Sequence, residues 1–197
     1  YSNAPSIGKY DLEISIPEYT VTSNSDVYRC FPVKTNLTVD QFITAFECIP
    51  GNANIVHHVL VYADTSNIPN NLDALDNEKG YVSYWGVGSE SAKQIGAWVP
   101  GSSATFYPAN MGQFLSKKAT IILQVHYAPG SLGQKDKTRF LARLDSKKLR
   151  ELRTEPLLSH LSNTDKLFLP ANKVTTINGK VTIPKKLTMI SVLPHMH

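Results

Sequence analysis

A chain of 197 residues with 42% hydrophobic side chains carries enough apolar material for a core of one or two domains, which excludes global disorder. Twenty Lys and Arg against sixteen Asp and Glu leave a net charge of +4. No basic run is longer than a pair such as Lys147-Lys148, and a nucleic-acid groove calls for a concentrated basic stripe, so nucleic acid is excluded as a partner. No stretch reaches the roughly 18 to 20 apolar residues of a membrane-spanning helix.

Tyr1 to Ala4 reads as a trimmed terminus, any signal peptide having been removed, and carries no fold signal. Short runs rich in β-branched and aromatic residues then follow one another, and helical periodicity is weak throughout. Strands are predicted over 12–16, 27–33, 41–49 and 55–62. The second carries Tyr28 and Cys30 and the third carries Cys48. If these two runs are neighbours, the cysteines can bridge; otherwise they are two buried thiols. Asn36-Leu37-Thr38 between them is a glycosylation sequon. Residues 65–110 are punctuated by Asn, Pro and Gly and read as a long excursion with little regular structure, a length that usually serves function. Strands resume over 120–127 and 138–144, and a short charged helix is predicted over 145–152. Glu155-Pro156 marks a domain boundary. Beyond it, 173–177 and 187–193 read as strands, with a two-residue hairpin turn at Asn178-Gly179. The expected fold class is all-β: an antiparallel, jelly-roll-like sandwich over 1–155, then the beginning of a second, similar domain over 156–197, incomplete at His197.

The six histidines are distributed unevenly over these elements. His57 and His58 are adjacent on one strand, so their rings point to opposite faces unless the strand twists or bulges there. His126 closes the apolar run Ile121-Ile122-Leu123-Gln124-Val125, where a polar ring needs a partner. Neutral imidazole can ligate a metal through one nitrogen and donate from the other, and three such rings suit copper or zinc. In His195-Met196-His197 the two rings share a face of an extended strand and can chelate one ion, while Met196 faces away and packs. His160 has no companion and reads as a boundary or surface residue.

Four segments in order along the chain resemble the copper type II, ascorbate-dependent monooxygenases. They are Tyr28-Arg29-Cys30, Val56-His57-His58-Val59-Leu60, Leu123-Gln124-Val125-His126-Tyr127 and Leu193-Pro194-His195-Met196-His197. The resemblance implies that His57, His58 and His126 hold an electron-storing copper in the first domain. It likewise implies that His195 and His197 are two ligands of a catalytic copper in the second domain, completed in the family by a methionine farther along. Two coppers per complete chain, ascorbate as electron donor, O2 and a small-molecule or peptide-like substrate hydroxylated at a C–H bond are what it implies for cofactors and partners. It places the protein outside the cytoplasm: secreted, periplasmic or on the cell surface. Gln124 and Tyr28 would stand behind the first copper's ligands. Peptide-amidating members carry an arginine two residues before the first histidine of the His-x-His pair, where this chain has Leu193, so a peptide carboxylate is a poor fit. Two other readings compete: a copper-binding or adhesive sandwich without catalysis, and a zinc hydrolase using Asp64 or Glu47 as general base.

Overall fold

The computed structural model describes residues 5–155, 169–176, 182–183 and 186–192. The chain divides into two units, Tyr1–Thr154 and Glu155–His197. The first is built from β1 (Leu12–Ser15), β2 (Tyr19–Thr20), β3 (Val27–Lys34), β4 (Gln41–Ile49), β5 (Val56–Asp64), α1 (Ile68–Leu75), β6 (Tyr81–Val82), β7 (Lys93–Trp98), β8 (Thr105–Phe106), β9 (Met111–Leu115), β10 (Thr120–Tyr127), β11 (Lys135–Asp136), β12 (Arg139–Asp145) and β13 (Arg150–Glu151).

Two sheets face each other. One has the order β1-β12-β4-β9-β13 with β8 also on β4, the other the order β6-β3-β10-β5-β7, and β11 and β2 form a separate ribbon. Pairing is antiparallel except between β13 and β9. Alternation along the strands explains the layer between the sheets: Ile43, Phe46 and Phe140 from the first meet Val59, Val61, Ile121, Leu123, Val125 and Tyr127 from the second in one core. The expected all-β sandwich is thus the fold.

β10 lies at the centre of the five-stranded sheet and is buried along its whole length, so its outward face is covered as well. The cover comes from residues 65–92. Tyr81, Val87 and the flank of Leu72 pack on Ile122 and Cys30. Two polar hubs hold the cover down. Arg29 donates to Asp76 and to the carbonyls of Lys79 and Gly80, and the Asp64 carboxylate accepts from Ser66, Ser89 and Ser91. Gly80 is in the left-handed region (φ 73°), and a Cβ there would lie 2.7 Å from the Cys30 carbonyl oxygen, so no side chain fits.

Four expectations need correction. The excursion over 65–110 holds regular structure: Pro69 in the first turn starts α1, and β7 extends the five-stranded sheet. Residues 145–152 form no helix, because Arg150 N–H and Leu152 N–H donate to the Asn110 and Gly112 carbonyls and the segment adds a strand beside β9. A helix of eight residues gains too little by itself to compete. Cys30 and Cys48 are both free. Their strands are successive in the chain but belong to opposite sheets, so they are not the neighbours a bridge across paired strands needs. In the second unit, described residues 173–176 and 187–192 form no strand; Val174, Leu187, Met189 and Val192 are exposed, without a paired edge to bury them against. The Asn178-Gly179 turn, His160, His195 and His197 lie outside the described residues.

Candidate metal centre

β5 and β10 pair antiparallel with Val59 opposite Val125 and His58 opposite His126, but Tyr127 then faces Val56. His57 is therefore one residue too many, a β-bulge, and it reverses the alternation: Val59 and Val61 point into the core, and so does Val56, three residues before Val59. Without the bulge, His57 and His58 would be on opposite faces of the sheet. With it both serve the outer face, where His126 stands.

The three rings form a tripod. His57 Nδ1 lies 3.2 Å from His58 Nδ1, and His58 Nδ1 lies 3.4 Å from His126 Nδ1. The ligand atoms of all three fall within 4.8 Å of one another. A metal–imidazole bond is about 2.0–2.1 Å long, so two nitrogens on one ion at tetrahedral to trigonal angles stand about 3.3–3.6 Å apart. The two Nδ1–Nδ1 spacings at His58 are close to that range. His58 and His126 are buried at 2% and 4% exposure, while His57 faces solvent, which leaves one side of the tripod open to small molecules.

Hydrogen bonding leaves lone pairs for a cation among these nitrogens. His126 Nε2 lies 2.6 Å from Asp26 Oδ1, and a carboxylate only accepts, so Nε2 carries a proton and the singly protonated ring presents a lone pair at Nδ1. His58 Nδ1, within reach of both other rings, offers a lone pair in one of its two neutral tautomers, and three imidazole nitrogens suit copper or zinc.

Tyr28 is opposite His126 on β3, and its ring stacks on the imidazole with centroids 4.0 Å apart and planes 13° apart. Tyr84 continues the ladder at 5.4 Å from Tyr28. Burial and the nearby Asp26 charge push the Tyr28 phenol above its ordinary pKa. Gln124 is on the same face as His126, but its amide is directed elsewhere: Nε2 donates to the carbonyls of Ser83 (2.9 Å) and Gly86 (2.6 Å). It pins the turn that carries Tyr84 over Tyr28. Asp26 and Tyr84 were not legible in the sequence. Their places depend on the register of β3 against β10 and on the turn over the sheet, and no local spacing encodes either.

Neither carboxylate considered as a hydrolytic base serves this site. Asp64 is engaged by Ser66, Ser89 and Ser91 at the far end of β5, and Glu47 accepts from Ser6 and the Ile7 N–H in the other sheet.

Residues 12–132 match the model of the copper type II ascorbate-dependent monooxygenase N-terminal domain. The chain belongs to this family. The matched region contains Tyr28, His57, His58, Gln124 and His126, so the tripod of this copper monooxygenase domain comes entirely from the part that defines the family. No curated protein matches the chain. Among the described residues, no helix of this monooxygenase chain is long and apolar enough to cross a membrane.

Proposed function

We propose that this chain is the electron-storing portion of a secreted, periplasmic or cell-surface copper monooxygenase, with His57, His58 and His126 holding one copper through Nδ1. The observation that carries this reading is the convergence of three imidazoles on a strand bulge, with His57 Nδ1 and His126 Nδ1 at 3.2 and 3.4 Å from His58 Nδ1, in a chain of this family. His195 and His197 supply two ligands of a second copper, in a second domain that begins after Glu155. With both ions bound, copper supplies one-electron storage at the first site and O2 activation at the second, with ascorbate or a similar reductant as the electron source.

The residues divide the work accordingly. His58 and His126 are fixed by burial, so the tripod is rigid on two sides, and His57 at the open side is where a reductant reaches the site. Tyr28 holds the plane of His126 by stacking on it. Gln124 keeps the 83–86 turn in place beside that stack. The substrate presents a C–H bond to the second site. The chain has Leu193 where peptide-amidating members carry a carboxylate-binding arginine, which favours a substrate without a peptide carboxylate.

Copper titration followed by elemental analysis and EPR tests the first site. The 197-residue chain binds one tight equivalent that His126→Ala removes; a chain that binds none, or binds it equally well without His126, refutes the tripod reading. Ascorbate-dependent O2 uptake tests the catalytic reading in protein extended past His197. It should fall at least tenfold in both His126→Ala and His195→Ala. If neither variant changes it, the non-catalytic copper-binding alternative takes its place.

A further inference from the structure

The far nitrogen of His126 meets Asp26, whose residue precedes β3 by one position. β3 and β10 pair as far as Val27 opposite Tyr127, so Asp26 stands just past the last rung, at the open end of the sheet. From there its carboxylate reaches back to His126 Nε2 at 2.6 Å. The Asp26 side chain is 54% exposed while the His126 ring is 4% exposed. Thus Asp26 contributes little to the core, yet it contacts one of the two buried rings of the tripod. Tyr28, two residues on, stacks on the same ring.

We propose that Asp26 is a positioning residue for the copper centre: it fixes His126 as an Nδ1 donor and biases the held copper towards Cu(II). The proposal rests on the copper reading given above. Its first part follows from proton placement. A free imidazole can present either nitrogen, and an anionic acceptor on Nε2 keeps the proton there, leaving Nδ1 as the lone pair aimed at His58 and His57. Its second part follows from charge. A carboxylate hydrogen-bonded to the far nitrogen of a ligating histidine increases the electron density the ring donates, and the higher oxidation state gains more from this than the lower one. The reduced site then releases its electron more readily. One electron enters from the ascorbate-type reductant, reduces Cu(II) to Cu(I), and leaves again to the second copper as Cu(II) is restored, so Asp26 favours the outgoing step.

Two variants of the 197-residue chain separate the parts. Asp26→Asn keeps an oxygen that can accept from Nε2 and removes the charge; Asp26→Ala removes both. Cu(I) affinity is read by competition with a chromophoric chelator, the Cu(II) environment by EPR, the potential by redox titration, and the metal-free fold by thermal melting. Expected are a 10- to 100-fold loss of metal affinity in Asp26→Ala, the range typical for such partners, a smaller loss in Asp26→Asn with a higher copper potential and altered copper hyperfine coupling, and wild-type melting for both metal-free variants. Wild-type affinity, EPR and potential in Asp26→Ala overturn the proposal, as does a lowered metal-free melting temperature with the copper properties unchanged, which makes Asp26 purely structural. A wild-type chain without a copper equivalent that depends on His126 overturns the copper reading itself, whatever the Asp26 variants do.

Discussion

Asp64 closes the cover over the outer face, and replacing it with Asn should weaken the domain in a pH-dependent way. The carboxylate is fully buried and accepts four hydrogen bonds: Oδ1 from Ser66 N–H and Oγ at 2.6 and 2.5 Å, Oδ2 from Ser89 and Ser91 Oγ at 2.6 and 2.7 Å. Burial alone would push the carboxyl up, but the donors from Ser66, Ser89 and Ser91 outweigh it and hold the group below its ordinary value of 3.8. A hydrogen bond to a charged acceptor contributes about 1 kcal/mol more than one to a neutral acceptor. Over four contacts, part of that difference is offset because an amide is cheaper to bury than a charge. Asp64→Asn should therefore cost about 1–3 kcal/mol at pH 7, or about 3–10 °C in Tm for a domain of this size. Because the folded-state pKa is depressed, the stabilisation is complete above the unfolded-state value and is lost as pH falls through the lower folded-state value. Urea titrations of wild type and variant should differ by a constant amount from pH 5 to 8 and converge below about pH 4. A gap as large at pH 3 as at pH 7 would refute a role for the ionised carboxylate.

Deleting His57 should straighten β5 while keeping His58 opposite His126 and Val56 opposite Tyr127. The metal-free variant is expected to melt within a few degrees of wild type and to lose the tight copper equivalent; collapse of the fold on deletion would show that the bulge is structurally required. Burial pushes the Cys30 thiol up to about 12 and Cys48 higher still. A disulfide reagent at pH 8 should find no reactive thiol in the native protein and two after denaturation. Fewer than two after denaturation would mean that the cysteines pair.

Several parts of this structure could be read from residue order because the information is local. The long strands through 27–33, 41–49 and 120–127 follow from uninterrupted β-branched and aromatic runs, and the His57-His58 doublet requires a bulge on alternation alone if both rings are to serve one face. What escaped is non-local. β7 is short and interrupted by Gly96, yet β5 supplies an edge for it. Arg150 and Leu152 look helical until the backbone carbonyls of Asn110 and Gly112 are offered to them. The placing of Cys30 and Cys48 in opposite sheets is a property of topology, and Asp26 meets His126 across 100 residues of chain. Gln124 shares a face with His126, as the strand period indicates, but the period does not reveal that its amide is engaged by the 83–86 turn.

The order of strands in the five-stranded sheet bears on how the site comes into being. β10 is inserted between β3 and β5, which do not pair with each other and which leave the ribosome long before it. Until residues 120–127 arrive, β5 has no central neighbour, and the register that creates the bulge at His57 has nothing to be measured against. His57 and His58 alone offer a nascent chain at most two imidazoles on a strand not yet forced out of alternation. Closure of the sheet by β10 sets that register and delivers the third ring in the same event. The tripod is thus a late product of folding, and a chain interrupted before Tyr127 has the doublet without the geometry that makes it a site.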